Sequence, residues 1–363
     1  MTHAFEIVVF PGDGIGREIT APALAVADAA LARVGGCSLH YTTIEAGAGL
    51  YNDTGVALPD AAVEAARGAD AILLAAMGLP DIRYPDGTEI APQIDLRFAL
   101  DLYAGVRPVR AIPGVGGPLA DPRAAGLDFV LVRESTEGLF YAHKSGTVTD
   151  DAMAEDRMVI TRKGSARVSD AAFAIAARRK AQGYRGHVTC VDKANVFASL
   201  AFFRKVFDER AATFPDIATD HAYVDATALN MVRRPWDFDV LVTENMFGDI
   251  LSDLGAGLMG GLGFAPSADI GDAHAVFQPC HGTAPDIAGM GVANPTAMFL
   301  SVAMMLEWLG DRHDHPGAND AGRLVREAVD GAFRDGLRTM EIGGTAGVRD
   351  VTDAVIAQLR TKG

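Results

Sequence analysis

The sequence predicts an α/β protein built on a largely parallel sheet, and three observations carry that prediction. Short apolar or β-branched runs recur at residues 7–10, 71–75, 129–132, 188–191 and 240–242. Amphipathic, alanine-rich segments alternate with them at residues 18–34, 61–67, 170–181 and 321–334. The chain has 363 residues, 49% of them hydrophobic and 22% charged, which is enough apolar material for a large core divided between two lobes.

Each element has its own reason. The run at 7–10 is β-branched and stops at Pro11 and Gly12, where a strand ends. The run at 71–75 has no polar residue, the mark of a strand covered on both faces, and 129–132, 188–191 and 240–242 repeat the pattern with little change. Around residues 147–160 Thr, Val, Asp and Met replace the helical spacing of apolar residues, so an extended arm is expected there. Residues 311–319, with two His and two Asp between two helical segments, read as a polar surface turn rather than a metal site.

Charge and cysteine content narrow the function. Lys and Arg total 32 against 47 Asp and Glu, a net charge of -15 that argues against a nucleic-acid or anionic-membrane surface. An anionic substrate must then meet a local cluster of arginines or a metal. Cys37, Cys190 and Cys280 are odd in number, widely spaced and free of metal-ligand spacing, which predicts buried thiols in a reducing compartment. No signal-like start and no apolar stretch of about 20 residues are present, so a cytoplasmic protein is expected.

Three groups of residues carry chemistry. Asp249 and Asp253, four apart, share one helix face among apolar neighbours; hard oxygen donors of this kind suit Mg²⁺ or Mn²⁺, although one of the pair could equally be solvated. Asp225 and Lys193 are further candidates, the lysine following an apparent strand, where ligand-facing residues sit in open α/β sheets. Arg97, Arg107 and Arg133 supply guanidinium forks for carboxylates, with surface ion pairing the alternative for each one alone. The segment Pro11-Gly-Asp-Gly-Ile-Gly follows a strand and opens a helix, yet its glycines at 12, 14 and 16 miss the G-x-G-x-x-G spacing, so no classical Rossmann domain is expected. A second glycine-containing segment begins at His281.

In this order the pieces resemble the β-decarboxylating dehydrogenases, a family acting on 3-isopropylmalate, isocitrate, homoisocitrate, tartrate and D-malate. The most specific residues are Glu244-Asn-Met-Phe-Gly-Asp-Ile-Leu-Ser-Asp-Leu, Gly282-Thr-Ala-Pro-Asp-Ile-Ala-Gly and Ala293-Asn-Pro, and the likeness spans essentially the whole chain. It implies a two-domain isopropylmalate/isocitrate dehydrogenase-like fold. Residues 1–102 and 260–363 would form the cofactor-binding domain, and 103–259 the dimerisation and metal-binding domain with an arm at about 142–165. It implies a homodimer with shared active sites, Lys193 and Asp225 coming from the neighbouring subunit.

By the same resemblance Asp225, Asp249 and Asp253 hold Mg²⁺ or Mn²⁺, Lys193 is the base, and Arg97, Arg107 and Arg133 grip the substrate's carboxylates. His281, Gly282, Thr283, Ala284, Pro285, Asp286 and Asn294 line the cofactor. Asp286 stands where NAD-linked members carry an acidic residue, so NAD is expected; its carboxylate would repel a 2′-phosphate. The chain departs from the family at the general acid, where Phe140 replaces the usual tyrosine and Tyr141 follows one residue later; Tyr141 is the expected acid if an irregular turn re-aims it, and water or another group if not. Substrate choice is read before Arg97. Ala91 and Gln93 replace the Ser and Asn of isocitrate enzymes, and Gln93 and Ile94 replace a pair of leucines in isopropylmalate enzymes. The expected reaction is oxidative decarboxylation of 3-isopropylmalate or a related 3-substituted malate. Tartrate or D-malate dehydrogenase, or a non-catalytic regulatory subunit, are the alternatives.

Overall fold

The computed structural model describes residues 3–361. The chain opens with β1 (His3–Gly12), α1 (Gly16–Val34), β2 (Cys37–Thr43), α2 (Ala48–Thr54), α3 (Asp60–Gly68), β3 (Ala71–Ala76), α4 (Pro92–Ala99) and β4 (Ala104–Arg110). It continues through β5 (Asp128–Glu134), β6 (Thr147–Thr149), β7 (Met153–Glu155), α5 (Arg162–Ala181), β8 (His187–Asp192), α6 (Ala198–Ala211), β9 (Ala218–Tyr223), α7 (Val224–Arg233), β10 (Val240–Thr243) and α8 (Asn245–Met259). β11 (Pro266–Ile270), β12 (Ala275–Pro279), α9 (Thr296–Arg312), α10 (Pro316–Arg334) and α11 (Val348–Thr361) complete it.

Ten strands form one sheet in the order β2-β1-β3-β12-β11-β4-β5-β10-β8-β9. The strands β2-β1-β3-β12 run parallel, as do β5-β10-β8-β9. Between them β11 is antiparallel to both β12 and β4, and β4 is antiparallel to β5. Strand polarity therefore reverses in the middle of the sheet, between its two parallel halves. Every residue of β3 and β10 is buried, as expected of apolar runs in the interior of a covered sheet.

The structure corrects several boundaries. α5 starts at Arg162 rather than near residue 170, because the Thr161 side chain accepts a hydrogen bond from the Gly164 amide and caps the first turn. α10 starts at Pro316, capped by the His315 ring, which reduces the expected 311–319 turn to residues 313–315. The segment expected as an extended arm folds back as an antiparallel hairpin of β6 on β7, with all six strand residues exposed. Cys37 and Cys190 are buried, whereas Cys280 is half-buried.

The glycine loop after β1 is a structural hub. Asp13 is buried, and its carboxylate accepts from the amides of Ala48 (2.7 Å), Gly49 (2.9 Å) and Gly78 (2.9 Å). The Ile15 amide donates to the Thr283 carbonyl (2.9 Å), and the Thr283 hydroxyl donates to the Gly78 carbonyl (2.7 Å). The Asp13 carboxylate thus ties the end of β1 to the start of α2 and to the chain leaving β3, and Thr283 ties both to the segment that follows β12.

Candidate active site

A cleft of about 250 Å³ opens where the sheet reverses polarity, lined from the end of β3, from α4, β4, β5 and α8, and from the chain leaving β12. Arg97 enters it from α4, Arg107 from β4 and Arg133 from the end of β5, so three elements far apart in sequence converge on one space. All three side chains are buried. Between Arg97 and Arg107 lies Asp269 of β11, also buried, at 3.2 Å from the first guanidinium and 3.5 Å from the second. The Gln278 amide donates to the same carboxylate at 2.9 Å. Burial pushes the Asp269 carboxyl up, but Arg97, Arg107 and Arg133 together outweigh it and hold the group below the usual range. Arg97 Nε and Arg107 Nη1 have no hydrogen-bond partner, and such buried donors require an acceptor from a ligand or water.

Arg133 is built against α8. Its Nε and Nη2 donate to the Asn245 side-chain oxygen at 2.9 and 2.6 Å, and Nη1 pairs with Asp249. Gly248 makes this approach possible, since a Cβ there would sit 2.6 Å from Arg133 Cγ. Burial, and then the charge of Arg97, bring the Arg133 guanidinium down to about 10 against the pull of Asp249. Asp253 faces the same cleft one turn further along α8; burial and the neighbouring Asp249 charge raise its carboxyl above the ordinary value. Two carboxylates that disfavour each other in a half-buried cleft are a donor set that a hard divalent cation relieves.

The remaining expected residues fall into three places. Gln93 and Ile94 of α4 line the cleft, and the Gln93 side-chain oxygen is buried without a partner. Lys193 and Asp225 pair with each other at 2.7 Å, at the end of β8 and the start of α7; they do not join Asp249 and Asp253. Among the described residues no three His, Cys, Asp or Glu side chains converge on a metal-sized space. Phe140 lines the cleft with its ring over the Arg133 guanidinium at 5.2 Å, while Tyr141 is 55% exposed. Residues 140–142 are a single 3-10 turn instead of strand, and that turn aims Phe140 inward and Tyr141 outward, so the expected acid is not brought to the cleft.

The segment expected to line a cofactor leaves β12 at the rim of the cleft. His281 and Gly282 line the cleft itself, and burial lowers the His281 pKa so that the neutral ring is favoured. Thr283 is buried in the hub of Asp13, Ala284 takes a positive φ of 39°, and Pro285 and Asp286 are exposed. Asn294 is committed internally, donating to Glu341 at 2.7 Å and accepting from the Thr296 amide and hydroxyl.

Comparison with known proteins decides the family. Residues 6–355 match the model described as isocitrate/isopropylmalate dehydrogenase. The chain belongs to the isocitrate/isopropylmalate dehydrogenase family. It is 39% identical to the 3-isopropylmalate/3-methylmalate dehydrogenase of Methanocaldococcus jannaschii over 356 residues, 98% of this chain and 99% of the relative. It is 41% identical to the isocitrate/homoisocitrate dehydrogenase of Thermus thermophilus over 359 residues, 99% of each chain. The crystal structure of isocitrate dehydrogenase from Methylococcus capsulatus superposes with a TM-score of 0.86 at 36% identity, covering 98% of this chain and all of the other. The expected isopropylmalate/isocitrate dehydrogenase-like fold is therefore the observed one, and family membership makes the chain a dehydrogenase by class.

Within this dehydrogenase family scaffold, reading the sequence missed Asp269, Gln278 and Asn245. A signal for the first was present. Asp269 is the one charged residue of a short strand, Pro266-Ser-Ala-Asp-Ile, and a carboxylate in such a place must be paired.

Proposed function

We propose that the protein oxidises and decarboxylates a 3-substituted malate such as 3-isopropylmalate, using NAD and Mg²⁺ or Mn²⁺, as a homodimer with shared active sites. The observation that carries this reading is one cleft that holds both two unspent guanidinium donors, on Arg97 and Arg107, and the acidic pair Asp249 and Asp253. Guanidinium groups suit carboxylates, and paired aspartates suit a hard cation.

Asp249 and Asp253 would hold the cation, with Asp225 contributed by a second copy of the chain. Bound together, the cation supplies Lewis acidity to the hydroxyl and ketone oxygens, and NAD⁺ supplies a hydride acceptor. Arg97, Arg107 and Arg133 orient the substrate through its carboxylates. Lys193 of a second copy takes the hydroxyl proton. With Phe140 facing the cleft and Tyr141 turned outward, we assign the last proton transfer, to carbon, to water. Asp286 supports NAD over NADP, because a carboxylate beside the adenosine ribose repels a 2′-phosphate.

The apolar surface left open supports the dimer. Leu229 and Val232 on α7 and Ile250 on α8, two helices in contact, are exposed, and so are Val148 and Met153 on the hairpin. A second reading, tartrate as substrate, is favoured by the unpartnered Gln93 oxygen, which could accept a hydrogen bond from a hydroxyl at the 3-position. NADH formation at 340 nm with Mn²⁺, across 3-isopropylmalate, D-malate, tartrate and isocitrate, tests the proposal. Turnover of 3-isopropylmalate above the others supports it; tight ligand binding with no turnover of any would replace it by a regulatory, non-catalytic role.

A further inference from the structure

Resting on that reading, the structure shows what aims the Lys193 ammonium. Lys193 is the first residue after β8, and its charge sits at the end of a flexible four-carbon stem. A base on such a stem must be held in one direction before it can meet a substrate proton.

The turn that presents the lysine is built on Asp192. That carboxylate is fully buried and accepts the Ala194 amide at 2.8 Å, which fixes the backbone just beyond Lys193. The Lys193 carbonyl in turn accepts from the amides of Val196 (3.0 Å) and Phe197 (3.2 Å). From α6 the Arg204 guanidinium forks onto the same carboxylate, with Nε and Nη2 both at 2.7 Å. A two-pronged pair of this kind keeps the guanidinium plane in one orientation.

Tyr223 joins that plane to the lysine. It ends β9, opposite Asp192 in the register of β8 and β9. Two cations meet its ring: the Arg204 guanidinium lies 5.3 Å from the centroid and Lys193 Nζ 5.7 Å. The electron-rich face of an aromatic ring attracts cations at such distances. Asp225 takes the same ammonium at 2.7 Å, but its side chain is 69% exposed, so water competes with it. Under the proposed function Asp225 is also a ligand of the cation, which leaves the ring as the tether with no second task.

We infer that Tyr223 is a positioning residue for Lys193, itself held by Arg204 and, through it, by Asp192. Tyr223 acts through the lysine and not on the substrate. What the position requires is an aromatic face; the hydroxyl is dispensable.

Methyl resonances of the lysines test this without turnover. Reductive methylation of the full chain with isotope-labelled formaldehyde gives each lysine a dimethylammonium that keeps its charge, and Lys193→Arg assigns the Lys193 signal by its loss. In the wild type and in Tyr223→Phe the ring should displace that signal upfield of the other lysines; in Tyr223→Leu it should rejoin them. Arg204→Lys keeps a charge for Asp192 but gives up the fork, and it should move the signal part of the way back with Tyr223 untouched, a shift that a merely structural ring does not produce. In the unmodified protein Tyr223→Leu should lower kcat about tenfold and leave KM within about twofold, while Tyr223→Phe matches the wild type in both. A wild-type Lys193 signal among the other lysines, a Tyr223→Leu kcat equal to the wild type, or a loss in Tyr223→Phe as large as in Tyr223→Leu overturns the inference. Failure of the wild type to oxidise any dicarboxylate would instead overturn the proposed function, and the Lys193 signal would still report on Tyr223.

Discussion

Two charged clusters in this molecule differ in kind. The first, Arg97, Arg107 and Asp269, is buried beneath the cleft and paired within one chain, with side-chain exposures of 7%, 8% and 3%. The second, Lys193 and Asp225, is one lysine and one aspartate with exposures of 24% and 69%. An ion pair of the first kind is costly to break, because the surviving partner is left charged in a dry place; one of the second kind contributes little to stability, because water screens it. The lesson is that the buried cluster is a finished half of a site. The more exposed pair contributes little to stability, and under the proposed function it is the half that a second copy would receive.

The largest effect that would sharpen this contrast is on Arg97. Arg97→Ala should destabilise the fold by about 3 kcal/mol and remove turnover, since Asp269 loses one of its two cations. Chemical denaturation with a parallel rate assay checks both parts, and a fully stable variant would break the comparison.

A buried carboxyl without a cation gives the next largest effect. Burial is the main cause that raises Glu134 from its ordinary 4.5 to about 7, although the Thr136 hydroxyl and the Thr136 and Glu137 amides pull it back. Because the folded pKa lies above the unfolded one, stability is full below about pH 4.5 and falls as pH rises towards about 7. Glu134→Gln should flatten that slope, and above pH 7 it should exceed the wild type by up to about 3 kcal/mol. Melting temperatures of both proteins at pH 5 and pH 8 measure it; parallel pH profiles would contradict it.

On the exposed side the expected effects on stability are small. Asp225→Ala should leave stability close to that of the wild type while abolishing turnover, a separation that denaturation and steady-state rates report together. Smallest of all is Tyr141→Phe, whose kcat should remain within about twofold of the wild type; a large loss would return the role of acid to that hydroxyl.

Much of the fold could be read from the chain because its buried strands are self-evident in composition. The apolar runs at 71–75, 129–132 and 240–242 became β3, β5 and β10, since strands covered on both faces need nothing but apolar residues. β9, Ala-Thr-Asp-His-Ala-Tyr, lies at the sheet edge and is mostly exposed, so no hydrophobic pattern announces it. The site was legible where a motif is local, as with Asp249 and Asp253 on one helix. Asp269 was not, because its meaning comes from Arg97 and Arg107, which stand 172 and 162 residues away in sequence. The direction of Tyr141 turned on a single 3-10 turn, a feature of backbone geometry that residue types alone do not specify.

The central claim is that the buried half-site of one chain and the exposed pair of another make one active site. Mixing two inactive variants, Arg133→Ala and Lys193→Ala, and allowing subunits to exchange tests it most directly. In a mixed dimer one site would carry both substitutions and the other neither, so random exchange should restore about a quarter of wild-type activity. Restoration of that order is the result predicted here; a mixture that exchanges subunits yet stays inactive would contradict the account.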